Sequence, residues 1–194
     1  MSTLEQIKAL REQTGAGIVE VKKALTESEG NADKAIEILR KRGGDKAMKK
    51  SDRSASEGVI GTYVHSNLKL GAMVKLMCET DFVARNDDFQ VLAKDIAMHI
   101  TAGAPTCLLS GDVDDNLIAK EREIWTQQLK SEGKEGVMIE KILEGKEKKF
   151  REESALMTQA FVKDPDKTIE DLLNESIIKI GEKIEIGDFE RFAL

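Results

Sequence analysis

Leu70-Gly71-Ala72-Met73-Val74-Lys75-Leu76-Met77-Cys78, running straight into Glu79-Thr80-Asp81-Phe82-Val83-Ala84-Arg85-Asn86, is the stretch on which the rest of the chain turns. Leu70, Ala72, Val74, Leu76 and Cys78 fall on alternate positions, the period of a β-strand with one buried face. The next eight residues put Phe82 where a soluble protein usually has a small polar turn residue, between that strand and a helix start. Such a ring either plugs the chain's own core or is offered to a partner, and its neighbours leave both open. Loops aimed by a rigid scaffold carry recognition, and the acid and base around Phe82 supply charges that orient an aromatic anchor.

Moving upstream, Ile60, Thr62 and Val64 alternate with Val59 and Tyr63, and His65-Ser66-Asn67 supplies turn chemistry, so an antiparallel hairpin is expected. Downstream, Asp87 with Gln90 forms a cap pattern ahead of Phe89, Leu92, Ala93, Ile96, Ala97 and Ile100, a helix stripe stopped by Gly103-Ala104-Pro105. Two charged helices follow at about Asp115–Lys130 and Gly136–Glu152. Ala155-Leu156-Met157 reads as extended and Lys163-Asp164-Pro165-Asp166 as a turn. Thr168 opens a helix carrying Ile169, Leu172, Leu173, Ile177 and Ile180, and a last strand holds Ile184, Ile186, Phe189 and Phe192. With the hairpin, that strand predicts a small antiparallel sheet covered by helices, an α+β fold.

Ahead of the hairpin the period is helical. Leu4, Ile7 and Leu10 mark one face before Thr14-Gly15-Ala16-Gly17; Ile18, Val21 and Leu25 mark a second helix; Ala32, Ala35, Ile36 and Leu39 mark a third, expected to end at Gly43. Asp45 to Ser56, rich in Lys and Arg, reads as an exposed helical linker. The expected division is therefore a three-helix module over residues 1–51 and an α+β core over 52–194, with the charged helical pair at 112–152.

Of the 194 residues, 40% are hydrophobic and 34% charged with both signs present, the composition of a folded, highly charged globular protein. A net charge of −6 argues against a general nucleic-acid binder. No apolar run reaches the roughly 20 residues that span a bilayer, and Met1-Ser2-Thr3-Leu4-Glu5 lacks the basic-then-apolar pattern of a secretion signal, which points to the cytoplasm. Cys78, Cys107, His65 and His99 show neither disulfide nor metal-ligand spacing, so no metal site or cofactor is expected.

The remaining polar features are weak as catalytic signals. Gly15-Ala16-Gly17 has no preceding strand and no following Lys-Ser/Thr pair, which makes it a helix-to-helix turn and not a phosphate loop. Glu79 and Asp81 lack convergent partners for acid–base work, and no nucleophile with a base and an orienting group is recognisable, so an enzyme is not expected. The basic run from Arg40 to Arg53 lacks the aromatic platforms of a single-strand binder. His99 lies beside the apolar stripe of its helix, where a structural imidazole and a partner contact are both open.

Three separate motifs, Thr14-Gly15-Ala16-Gly17, Lys22-Lys23-Ala24-Leu25 and Thr80-Asp81-Phe82-Val83, occur in one order that resembles the bacterial elongation factor Ts family, nucleotide exchange factors for the translational GTPase elongation factor Tu. The likeness runs from about Ile7 to the last residues and is weaker between Cys107 and Glu135. It implies that the first module is a ubiquitin-associated-type three-helix domain. It further implies that Thr80, Asp81, Phe82 and Val83 meet the GTPase, with Phe82 pushed in near its phosphate and magnesium site so that Mg²⁺ is dislocated and GDP leaves. Arg11, Ile18 and Val19 match further partner contacts, Ile18-Val19 standing where many members carry methionines. Longer members carry a second core half, which a homodimer of this chain would replace, giving a two-plus-two complex. Ala160 stands where proline is common, and Gly187-Asp188 where several members carry a basic pair. The competing expectation is a protein-binding adaptor that uses the three-helix module without any exchange activity.

Overall fold

The computed structural model describes residues 3–194. It opens with α1 (Thr3–Thr14), α2 (Ile18–Glu27) and α3 (Ala32–Met48), which enclose a core of Leu10, Val21, Ala24, Leu25, Ala35 and Leu39. The α1 helix ends where Gly15 takes φ +65°, a left-handed turn that glycine enters without a Cβ penalty. Asn31 starts α3, its side-chain oxygen accepting the Lys34 amide at 3.0 Å.

The α3 helix does not end at Gly43 as its sequence suggests. A Cβ on that residue would lie 2.5 Å from Cδ1 of Ile178, so the glycine serves the close approach of another helix, and α3 continues to Met48. Glycine inside a helix costs about 1 kcal/mol relative to alanine, a cost that packing offsets here.

Next come β1 (Glu57–Val64) and β2 (Leu70–Cys78), an antiparallel hairpin in register from Glu57 opposite Cys78 to Val64 opposite Gly71. Its turn is closed by the His65 amide on the Leu70 carbonyl at 2.8 Å. The eight-residue segment after β2 is no irregular loop: Asp81–Ala84 form a one-turn helix, α4, and α5 (Asp87–Gly103) follows at once. The cap of α5 is Asn86, whose Oδ1 accepts the Asp88 amide at 2.8 Å, one residue ahead of the expected Asp87. The α5 stripe of Phe89, Leu92, Ala93, Ile96, Ala97 and Ile100 is buried, as are Ala72, Val74, Leu76 and Cys78 on the inner face of the sheet.

After α5 stand α6 (Asp115–Ser131) and α7 (Val137–Ser154), packed on each other through Leu129, Ile139 and Leu143. Arg122 of α6 reaches Glu140 at 3.0 Å and Glu147 at 2.9 Å on α7, while Trp125 meets Phe150 edge to face at 5.8 Å. Ala155 bridges to Cys107 and Leu156–Thr158 coil into a 3₁₀ turn, so only the first of the residues expected to be extended is so. The Thr158 hydroxyl donates to the Glu152 carbonyl at 2.6 Å, which draws the backbone into that turn. Asp164-Pro165-Asp166 form part of a strand rather than a turn: β3 (Ala160–Phe161) pairs with β4 (Asp164–Thr168). A ribbon of two strands has open edges, where a proline without an amide is tolerated.

The chain closes with α8 (Ile169–Ile180) and β5 (Ile184–Ala193). The latter pairs antiparallel with β2, giving the order β1-β2-β5. Register shifts between Lys75 and Leu76, whose partners are Asp188 and Ile186, leaving Gly187 as the extra residue of a bulge. Eight α-helices and a small antiparallel sheet among the described residues make this an α+β protein. Its packing divides into two units, one holding the chain up to Thr101 and again from Glu170, the other Ala102–Ile169.

Candidate functional site

Four residues make a helix too short to persist alone, because the first turn fixes several dihedrals for a single hydrogen bond. The α4 helix is therefore held from outside. Thr80 caps it, its Oγ1 accepting the Val83 amide at 3.4 Å. Ala84 faces inward and is buried where α4 packs on β1 and β2. Phe82 points the other way with 81% of its surface exposed, so the core reading of this ring fails.

The residues around α4 interlock with the link between α8 and β5. The Glu182 carboxylate accepts the Glu79 and Thr80 amides, each at 3.1 Å through Oε2, and the Thr80 hydroxyl at 2.7 Å through Oε1. In return, Oε1 of Glu79 accepts the Lys183 amide at 2.6 Å and an Arg53 guanidinium nitrogen at 3.3 Å. The Lys183 amide, then Arg53 by hydrogen bond and charge, hold the Glu79 carboxyl below the usual glutamate range. The Lys183 ammonium donates to the Arg53 carbonyl at 3.0 Å, and Lys50 donates to the carbonyl of Gly181. Two acids thus each grip the backbone of the opposite segment.

Charge flanks the exposed ring as the sequence suggests. Asp81 and Arg85 are one helical turn apart and pair at 3.0 Å on the surface. Cys78, at the end of β2, donates its thiol to the Thr80 carbonyl at 3.2 Å; burial first, and then the nearby Glu182 charge, push that thiol above its ordinary value. Among the described residues no group of three His, Cys, Asp or Glu side chains could hold a metal ion.

The other candidate positions lie elsewhere. Arg11 is exposed on α1, and Ile18 and Val19 open α2 with 54% and 64% of their surfaces exposed. They form a set on the three-helix module, apart from the α4 residues along the chain. Lys179 of α8 touches both neighbourhoods: it pairs with Asp88 at 2.7 Å on the first turn of α5, and a Cβ on Gly15 would lie 3.6 Å from it. His99 belongs with neither set. Only 2% of it is exposed, on the buried side of α5.

Sequence reasoning missed Glu182, Lys183 and the part played by Arg53. Nothing local marks them, since Gly181-Glu182-Lys183 reads as an ordinary charged link and its partners stand more than a hundred residues earlier. Among the described residues no helix is long and apolar enough to cross a membrane.

Comparison with known proteins accounts for nearly the whole chain. The sequence model of the family described as Elongation factor TS matches residues 2–194. A curated Elongation factor Ts of Thermosipho melanesiensis is 50% identical over 194 residues, 100% of this chain and 99% of that protein. The Elongation factor Ts of Maridesulfovibrio salexigens is 49% identical across 99% of this chain and 93% of its own length. That of Acetivibrio thermocellus is 50% identical across 99% and 89%.

Proposed function

This chain belongs to the elongation factor Ts family of translation elongation factors, and we propose that it releases GDP from elongation factor Tu by inserting Phe82 beside the phosphate and magnesium site of that GTPase. The observation that carries this reading is an apolar ring 81% exposed on a capped, clamped turn. Bound nucleotide is gripped by phosphate-loop amides and by a Mg²⁺ that bridges phosphate oxygens to protein. Phe82 gains burial only in a GTPase conformation with distorted metal ligation, and such differential affinity is what shifts an equilibrium between two states. Asp81, the first residue of α4 and paired with Arg85, orients the ring against the partner, and Thr80 and Val83 complete the contact.

Linkage makes the effect reciprocal, so nucleotide expels the factor as strongly as the factor expels nucleotide. A thousandfold change in affinity is about 4 kcal/mol, whereas burying one phenyl ring returns about 1.5–3 kcal/mol. Arg11, Ile18 and Val19 on the three-helix module supply the remaining contact, with apolar side chains already at the surface. His99, being buried, is left out of the contact set.

A second copy of the chain completes the assembly in this reading. Ile60, Val64, Met73 and Phe192 are exposed large hydrophobic residues of the three-stranded sheet, and Val64, Gly71 and Phe192 lie opposite one another across its strands. The place of action is the cytoplasm, where translation occurs.

Stopped-flow release of a fluorescent GDP analogue from elongation factor Tu tests the proposal. The wild-type chain accelerates release, and Phe82→Ala loses most of the acceleration while its thermal unfolding is unchanged. An unaltered release rate for the variant refutes the wedge. A wild type that binds through residues before Ser51 and leaves nucleotide release untouched would instead establish the adaptor reading, which the exposed Leu4, Ile18 and Val19 favour.

A further inference from the structure

We infer that Glu182, on the link between α8 and β5, is a positioning residue for the exchange site: through the Thr80 hydroxyl it sets the one-turn helix that presents Phe82. The inference rests on the exchange reading and adds to it a residue that lies outside α4 and far from it in sequence.

A threonine hydroxyl has one proton to donate and lone pairs to accept with. The Thr80 proton goes to Oε1 of Glu182 at 2.7 Å, which turns a lone pair toward the Val83 amide 3.4 Å away. A carboxylate can only accept, so it dictates the direction of this relay; a neutral amide in its place can present a donor to Oγ1 and release the proton. The other carboxylate oxygen accepts the Glu79 and Thr80 amides at 3.1 Å, fixing the peptide planes that lead into α4. Charge-assisted bonds of this kind are about twice as strong as neutral ones. A helix of four residues holds its first turn weakly by itself; the packing of Ala84 on β1 and β2 anchors its far end, and the Thr80 cap holds the end that carries Phe82, its second residue.

The clasp is doubled but not symmetrical. Glu79 grips the Lys183 amide and steadies the link, yet among the described residues its carboxylate makes no hydrogen bond to Thr80 or α4. Removing Glu182 therefore loosens the presentation of Phe82 directly, whereas removing Glu79 loosens it only through the link. A residue that merely added stability would lower the melting temperature and leave the release rate at saturating factor unchanged.

The test uses full-length Glu182→Gln, Glu182→Ala, Thr80→Val and Thr80→Ser with elongation factor Tu and a fluorescent GDP analogue, alongside amide hydrogen exchange of each free protein. Glu182→Gln and Thr80→Val are expected to lower the maximal release rate about five-fold, the worth of one lost cap, with a smaller change in the half-saturating concentration. Glu182→Ala lowers it further, and Thr80→Ser, which keeps the hydroxyl, lowers it less than Thr80→Val does. Amides of Thr80–Arg85 exchange faster in Glu182→Gln, Glu182→Ala and Thr80→Val, while those of the α6–α7 pair do not change. Wild-type maximal rates in both Glu182 variants, or unchanged exchange at Thr80–Arg85, overturn the inference. Should the wild-type chain itself fail to accelerate GDP release, the exchange reading falls, and Glu182 loses its role in the site whatever the amides show.

Discussion

Burying a phenyl ring is worth about 1.5–3 kcal/mol, and the free chain forgoes this at Phe82 while burying Phe89 completely a few residues later. Because Phe82 contributes so little to the core, Phe82→Ala is expected to shift unfolding free energy by no more than about 0.5 kcal/mol in urea titrations. Gly61 is the opposite case. A Cβ there would stand 2.5 Å from the Ala93 carbonyl oxygen and 2.8 Å from its Cβ, so Gly61→Ala must push β1 off α5 at a cost of about 1–3 kcal/mol. Glu79 gives a pH dependence whose sign is fixed: its carboxyl titrates below the ordinary value in the folded chain, chiefly through the Lys183 amide, so its contribution is present above about 4.3 and fades as the pH falls below that. Melting temperatures of wild type and Glu79→Gln should differ at neutral pH and converge in acid. The inward residues of β2 were legible one by one because a strand's period is local. Glu182 was not, since a carboxylate's role depends on what a distant segment brings to it.

Among the elements, α4 differs most from its sequence. Thr80-Asp81-Phe82-Val83 carries no repeat long enough to announce a helix, and the cap, the clasp and the packing of Ala84 on the sheet make one. The longer helices were readable wherever an apolar stripe could be counted, as in α5 and α8; their ends were less so. Gly43 resembled a stop signal but marks a close approach to Ile178, and Asn86 took the cap assigned to Asp87. The α6–α7 pair rests on a small core, and Leu143 within it is buried. Leu143→Ala should cost about 2–4 kcal/mol, and amide exchange over Asp115–Ser154 should rise while β1, β2 and β5 keep their protection.

For the whole molecule, α+β layering could be read from the change of period at Gly58, and the observed sheet has the expected three strands. Self-association belongs to this scale. If a second copy covers the apolar outer face of the sheet, light scattering at micromolar concentration reports a dimer, and Phe192→Glu, altering an exposed position, returns the monomer without unfolding it. A monomeric wild type with full exchange activity would remove the dimer from the proposal.

The strand order carries a consequence in time. The central strand β2 pairs on one side with β1, its immediate neighbour in sequence, and on the other with β5. At a synthesis rate of about 5–20 residues per second, the roughly one hundred residues between them delay the second partner by about 5–20 s. Throughout that interval on the ribosome, one edge of β2 has no strand from its own chain to pair with. Unpaired edges invite foreign strands, so the nascent chain is most open to misassembly, and to chaperones, before β5 emerges.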